Sequence, residues 1–204
     1  MSDARSYSSD VAFTPAVKTV QARKGSRETY ARVEERGGWR TEIDENLAAF
    51  LADVNSFYFA TASSSGQPYI QHRGGPKGFL RVLDEKTIAF ADFAGNRQYL
   101  THGNLTENPK AYLFLIDYAH RRRIKIWGEA RVVEGDAVLT ARLMPEGYKA
   151  RAEQVILFTV SAWDSNCPQH IPLRFEAADV AAALAERDKR IEELEVEVAR
   201  LRAA

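Results

Sequence analysis

Arg123-Ile-Lys-Ile-Trp-Gly-Glu-Ala-Arg131 decides the architecture. Ile124, Ile126, Gly128, Ala130 and Val132 fall on one face, and Arg123, Lys125, Trp127, Glu129 and Arg131 on the other. A period of two is that of a strand with one buried side. The same signature recurs outward from it. Phe57-Tyr-Phe-Ala-Thr-Ala62 is β-rich and is closed by the hairpin-like loop Ser63-Ser-Ser-Gly66. Gln67–His72, Phe79–Leu83, Thr87–Ala91, Ala111–Ile116, Arg122–Val133 and Val155–Val160 follow as expected strands. Short strands at this spacing, with only one or two helices inserted, point to an antiparallel barrel or sandwich and not to a βαβ sheet.

Helical segments flank this region. Residues 1–13 read as a loose arm. Residues 14–54 read as helical, starting at Thr14-Pro15, where proline suits the first turn, and interrupted at Gly25 and Gly37-Gly38. Leu47, Phe50, Leu51 and Val54 recur at helical spacing. At the other end, Ala177, Leu184, Ile191 and Val198 recur every seven residues, as do Val180, Leu194 and Leu201, with Arg187 breaking the second series. Asp188, Arg190, Glu195 and Glu197 flank them, as in a coiled-coil seam. About three heptads is marginal for an isolated helix, so this one is expected to self-associate or to pack on its own domain. The expected division is therefore 1–54 (arm and helices packed on the barrel), 55–175 (barrel) and 176–204 (coiled-coil-like helix).

Composition bounds the function. A chain of 204 residues holds one ordinary domain plus extensions. Hydrophobic content of 45% with 27% charged residues reads as globular and soluble, not disordered. Lys+Arg and Asp+Glu both number 28, so no net field advertises nucleic acid or an anionic membrane. The one dense basic run, His120-Arg-Arg-Arg123, fits an exposed strand edge in a neutral protein. A single cysteine, Cys167, excludes an internal disulfide framework and suits a reducing cytoplasm. The N-terminus is polar and lacks an apolar leader, and no apolar run approaches the roughly 20 residues of a membrane helix.

Several motifs bear on chemistry. In Phe90-Ala-Asp-Phe-Ala-Gly-Asn-Arg-Gln-Tyr99 a strand empties into a turn that delivers Arg97 near the start of a helix. Backbone N–H groups at a helix N-terminus and a guanidinium together can hold a phosphate; a solvated surface arginine is the plainer reading. His72-Arg-Gly-Gly-Pro-Lys-Gly78 is either a loop that brings Arg73 and Lys77 to an anion or a Gly-Pro turn with solvated charges. There is no Walker loop and no Gly-x-Gly-x-x-Gly after a strand, so neither a P-loop nor a Rossmann site is expected. In Asn166-Cys-Pro-Gln-His170 the Cys-x-x-His pair lacks the further ligands of a closed zinc site, and no metal is expected. That segment reads as a turn, or as a rim from which Gln169 and His170 reach a ligand. A Gly-x-Ser-x-Gly elbow and a paired-carboxylate signature are both absent.

Taken in order, these residues resemble the pyridoxamine 5'-phosphate oxidase-like, FMN-binding split-barrel superfamily. The resemblance lies in Gln67-Pro-Tyr69, the Phe90–Gln98 turn, Asn108-Pro-Lys-Ala111 and Arg123–Arg131. It is closer to the uncharacterised flavin-nucleotide-binding branch in Val20-Gln-Ala-Arg-Lys-Gly-Ser-Arg27, Gln71-His-Arg-Gly-Gly-Pro76 and Trp163-Asp-Ser-Asn-Cys-Pro-Gln-His-Ile171. Together the matches span roughly residues 13 to 175. The resemblance implies a homodimer of six-stranded, Greek-key-like split barrels with FMN in clefts at the subunit interface. On it, Asn96, Arg97 and Gln98 meet the FMN phosphate, and Asp92 lies along the ribityl-phosphate. Gln71, His72, Arg73 and Lys77 approach the isoalloxazine ring and phosphate, Arg123 contacts the ring, and Gln169 and His170 come from the partner subunit.

The chain departs from the vitamin B6 oxidases at two points. They carry Arg-Lys where this chain has Arg97-Gln98, and they end in a Trp- and Arg-containing segment where this chain has its heptad helix. Oxidation of pyridoxine phosphate is therefore not the activity expected. The expectation is an FMN-dependent oxidoreductase acting on an unidentified small molecule, with no side chain named as catalyst. The alternatives are a flavin-binding carrier or sensor without turnover, and a deazaflavin-dependent reductase of the same fold. Heme, used by other relatives, would need an axial ligand that no histidine is clearly placed to supply.

Overall fold

The computed structural model describes residues 6–166 and 168–203; Cys167, singled out above, lies outside them. The chain falls into two compact units, Met1–Ile116 with Arg123–Cys167 and Asp117–Arg122 with Pro168–Ala204.

Among the described residues, a short 3-10 turn (Ser8–Val11) and three α-helices precede the sheet. Helix α1 (Pro15–Lys24) starts on Thr14, whose hydroxyl accepts from the Val17 N–H, and stops at Gly25 in the left-handed region with φ 80°. Helix α2 (Arg27–Glu35) follows. Its Glu34 is buried and meets Lys18 at 3.0 Å, and it also pairs with Arg27. Gly37 and Gly38, both at positive φ, end the segment where the sequence placed a break. Helix α3 (Glu45–Asp53) is capped by Asp44, which accepts from the Leu47 N–H at 2.8 Å, and buries Leu47, Phe50 and Leu51.

Among the described residues, seven strands build one mainly antiparallel sheet: β1 (Ser56–Ala62), β2 (Pro68–Gly74), β3 (Arg81–Val82), β4 (Thr87–Phe93), β5 (Lys110–Asp117), β6 (Arg122–Val133) and β7 (Ala152–Asn166). Their order is β2-β1-β5-β6-β7-β4-β3. Helix α4 (Leu100–Glu107) is inserted after β4 and α5 (Ala137–Leu143) after β6.

Although β1 and β4 are separated by three strands in that order, their side chains touch. The Phe57 and Phe59 rings lie 5.2 and 5.9 Å from the Phe90 ring, and Phe59 lies 6.5 Å from Phe158 of β7. Only a sheet that curls on itself brings these rings together, and its inside is the core, shared with Leu113, Leu115, Ile124, Ile126 and Ile156. The architecture is the split barrel with flanking helices that the resemblance implies.

Two bulges tune the curl. At Trp127/Gly128 the partner skips from Ala162 to Val160, leaving Ser161 as the extra residue. A Cβ on Gly128 would stand 2.0 Å from the Thr159 carbonyl oxygen, so only glycine fits there. The second bulge lies in β7 opposite the end of β4 and helps build the site described below.

In the second unit, Asp117 accepts from the His120 N–H at 3.0 Å, Arg121 takes a left-handed φ of 54°, and the Arg174 guanidinium lies 4.6 Å from the Tyr118 ring centre. Helix α6 (Ala177–Arg202) buries none of its residues. No helix among the described residues is long and apolar enough to cross a membrane.

Candidate functional site

An open cleft lies where β2, the end of β4, the β4–α4 turn, the first turn of α4 and the start of β7 meet. Alternation along β2 sends Tyr69, Gln71 and Arg73 to the cleft, and the intervening His72 to the other face, 5.7 Å from the Tyr58 ring. Asp92 and Phe93 close β4. There the register jumps: Asp92 pairs with Gln154 and Phe93 with Ala152, so Glu153 is the extra residue of a bulge. That bulge lets the sequence neighbours Glu153 and Gln154 both line the cleft, which a regular strand forbids.

Arg73 donates to one oxygen of Asp92, and Gln154 Nε2 donates to the other at 2.9 Å. Thr101 Oγ1 donates to Gln71 Oε1 at 3.0 Å, tying α4 to β2. The turn between β4 and α4 is held by its own side chains. Asn96 Oδ1 accepts from the Gln98 N–H at 3.3 Å, and Arg97 Nε donates to the Tyr99 hydroxyl at 3.1 Å. The Tyr99 hydroxyl reaches Glu153 at 3.4 Å. Its hydrogen bond to Tyr99, and then the charges of Tyr99 and Glu153, push the already high pKa of Arg97 further up, so the group is a permanent cation. Arg97 and Tyr99 both sit at positive φ, 59° and 54°. The turn is thus fixed in an unusual backbone shape that presents its polar groups to the cleft.

Three donors in this cleft are unspent. Arg73 Nε is buried and makes no hydrogen bond among the described residues. The N-cap position of α4, Tyr99, provides no side-chain cap, so the first N–H groups of that helix lack a side-chain acceptor while Leu100, Thr101 and His102 line the cleft. Arg97 is largely exposed, its nearest carboxylate being Glu153 at 3.8 Å. An orphaned buried guanidinium nitrogen beside an uncapped helix start is the donor set that a phosphate ester satisfies. The residues present therefore fit a phosphate-bearing cofactor.

Of the residues expected at a site, the cleft brings together Gln71, Arg73, Asp92, Asn96, Arg97 and Gln98. Three of the others, His72, Lys77 and Arg123, do not line this cleft. His72 faces Tyr58; Lys77 pairs with Asp53 at 2.7 Å, both well exposed. Arg123 sits on the outer face of β6 with a buried Nε that makes no hydrogen bond among the described residues. Gln169 and His170 belong to the second unit, where both are exposed and His170 has φ 64°. Tyr69, Tyr99, Thr101, His102, Glu153 and Gln154 were not singled out from sequence. Tyr69 had a signal, being in step with Gln71 and Arg73. Glu153 and Gln154 had none, since only the β4–β7 pairing carries them to the turn.

No curated protein matches the chain. Among solved structures, HupZ of Group A Streptococcus aligns at 19% identity and a TM-score of 0.49, covering 65% of this chain and 99% of its own. An FMN-binding protein from Syntrophomonas wolfei aligns at 12% identity and 0.46, covering 72% and 97%. HutZ, the heme storage protein of Vibrio cholerae, aligns at 15% identity and 0.42, covering 58% and 89%. The family model described as pyridoxamine 5'-phosphate oxidase matches residues 43–167, which takes in α3, the whole sheet and every side chain of the cleft. Over that span, more than half its length, the chain belongs to the pyridoxamine 5'-phosphate oxidase family.

Proposed function

We propose that the cleft holds FMN by its phosphate and that the protein is an FMN-dependent oxidoreductase acting on a small molecule. The observation that carries this reading is the convergence of Arg73, Arg97 and the uncapped start of α4 on one cleft. Asp92 and Glu153 formally offset the two arginines. What draws a phosphate is thus the set of unspent donors, not a net positive field. Asn96 and Gln98 extend that set with amide groups beside the anion.

FMN, when bound, supplies the hydride or electron chemistry; the protein supplies position, polarity and access. Asp92, held by Gln154, orients Arg73 toward the cleft. Gln71, locked by Thr101, presents its amide along the same wall. Phe93 and Tyr99 are the apolar bodies available to a planar ring. With Gln98 where the vitamin B6 oxidases carry a cation, a small molecule other than pyridoxine phosphate is the proposed substrate.

A homodimer is part of the same proposal. The outer face of β1, β2 and β5 carries Tyr58, Ile70 and Phe114, and Tyr58 and Ile70 are exposed at 38% and 58%. A patch of that kind is suited to a second barrel.

The test is the visible spectrum of the purified protein, followed by denaturation and identification of what is released. A flavin spectrum with FMN released at about one per chain is the expected result. Reduction of that flavin by a nicotinamide donor then separates an enzyme from a carrier. A colourless protein that refuses added FMN overturns the reading; binding of a deazaflavin coenzyme instead would transfer the cleft to that cofactor.

A further inference from the structure

Helix α6 is amphipathic along its whole length, yet every residue from 172 to 203 is exposed. Val180, Leu184, Ile191, Leu194, Val198 and Leu201 stand between 43% and 64% exposed in a single stripe. A 26-residue helix of this kind is roughly 39 Å long at 1.5 Å per residue and has no side-chain N-cap, so its stability must come from a partner along the stripe.

We propose that this partner is α6 of a second copy, running parallel and in register as a two-stranded coiled coil. The seam chooses the strand number. Ala177, Leu184, Ile191 and Val198 occupy one core position, and Val180, Arg187, Leu194 and Leu201 the other. In the last two heptads this sets β-branched Ile191 and Val198 at the first position and leucine at the second, the combination that favours parallel dimers.

The flanking charges choose the direction. In a parallel pair the residue before a first core position meets the residue five places later on the partner. Arg190 then faces Glu195, and Glu197 faces Arg202, so both flanking pairs are of opposite charge. Arg187, the one cation in the seam, then meets its own copy across the pair, each flanked by Asp188 of the facing helix. In the antiparallel alternative that sets Ile191 against Leu194, Arg190 faces Glu197 but Asp188 faces Glu195, so one attractive pair is offset by a repulsive one, where the parallel pairing has two attractive pairs. Within a single chain Arg190 meets Glu193 at 2.9 Å, an exposed contact worth little.

The experiment uses the full chain with its only cysteine removed (Cys167→Ser) and one thiol introduced as Leu201→Cys, oxidised with diamide. The parallel register places the two Leu201 positions face to face, and a disulfide-linked dimer is expected on a non-reducing gel. Lys189→Cys, on the outside of the pair, is expected not to link. The antiparallel register sets Leu201 against Leu184, leaving the two Leu201 sites about 25 Å apart, far beyond the roughly 7 Å Cα separation a disulfide tolerates. Linking only between Leu184→Cys and Leu201→Cys chains in a mixture overturns the direction, and linking in neither case overturns the pairing. Arg190→Glu is expected to reduce the Leu201→Cys dimer several-fold, and adding Glu195→Arg to restore it. A partial or full loss that the second charge change does not restore counts against the register. Flavin absorbance, read on the same samples, moves independently of these outcomes.

Discussion

Arg73 on β2 is bonded to Asp92 on β4, two strands that the sheet order keeps four strands apart. The pair is mostly buried, with side-chain exposures of 14% and 11%, and Gln154 takes the second carboxylate oxygen. It spans the place where the barrel is split, and it stands in the wall of the candidate site.

Removing one member of this pair leaves the other charge buried and unpaired. Asp92→Ala is expected to lower stability by about 3 kcal/mol, the low end for a broken buried pair. The double variant Arg73→Met/Asp92→Leu is expected to recover most of that loss, since an apolar pair needs no partner. Urea unfolding measures both. The double variant should still bind FMN poorly, and restored stability with full affinity would detach the pair from the cofactor.

Arg97→Ala tests the turn. It removes an exposed cation whose partners among the described residues are Tyr99 and Glu153. Stability should therefore change little while FMN affinity falls at least about tenfold, as for the loss of a charge-assisted hydrogen bond. Titration of FMN fluorescence reads the affinity, and an unchanged value would remove the phosphate from this turn.

Tyr112 gives a pH signature. Burial pushes its phenol from the ordinary 10.0 up to about 12; the Arg123 charge pulls down and Asp164 pushes up, both less strongly. Its ring packs 5.0 Å from that of Trp127. The fold favours the neutral phenol, so this group's contribution is complete below about pH 10 and is lost as pH rises through 12. An alkaline titration at 295 nm, taken as the difference between the wild type and Tyr112→Phe, should show one phenolate appearing near 12. A transition centred on 10 would place Tyr112 in water.

Gly128→Ala tests the bulge. The added methyl would sit 2.0 Å from the Thr159 oxygen and 2.7 Å from the Phe158 ring. Overpacking at such a point costs about 1–3 kcal/mol. A urea midpoint unchanged from the wild type would show that β7 can shift to make room.

Much of this architecture was legible residue by residue. The period of two from Arg122 to Val133 matched β6 to its ends, because one face is core and the other is not. The breaks at Gly25 and Gly37-Gly38 fell where positive φ is required. The strand expected over Phe79–Leu83 shrank to Arg81–Val82, because Phe79 and Leu80 are apolar as core plugs behind the Pro76 turn, not as ladder residues. The strand expected over Val155–Val160 grew to Ala152–Asn166, its polar ends being held by pairing with β6 and β4. The site divides along the same line. Its turn, Asn96 to Gln98, is local and could be read. Its opposite wall depends on a bulge and a long-range strand pairing, and neither leaves a mark in the order of residues.

Because side chains, and not a hydrogen-bonded ladder, join β2 to β4 among the described strands, the Arg73–Asp92 pair works as a latch. A ladder opens only by local unfolding, whereas a guanidinium turns on the timescale of a rotamer change. A phosphate arriving at Arg73 exchanges one anionic partner for another. On the reading proposed for the cleft, docking and unlatching would be the same event, with the cofactor taking over the seam that Asp92 keeps shut.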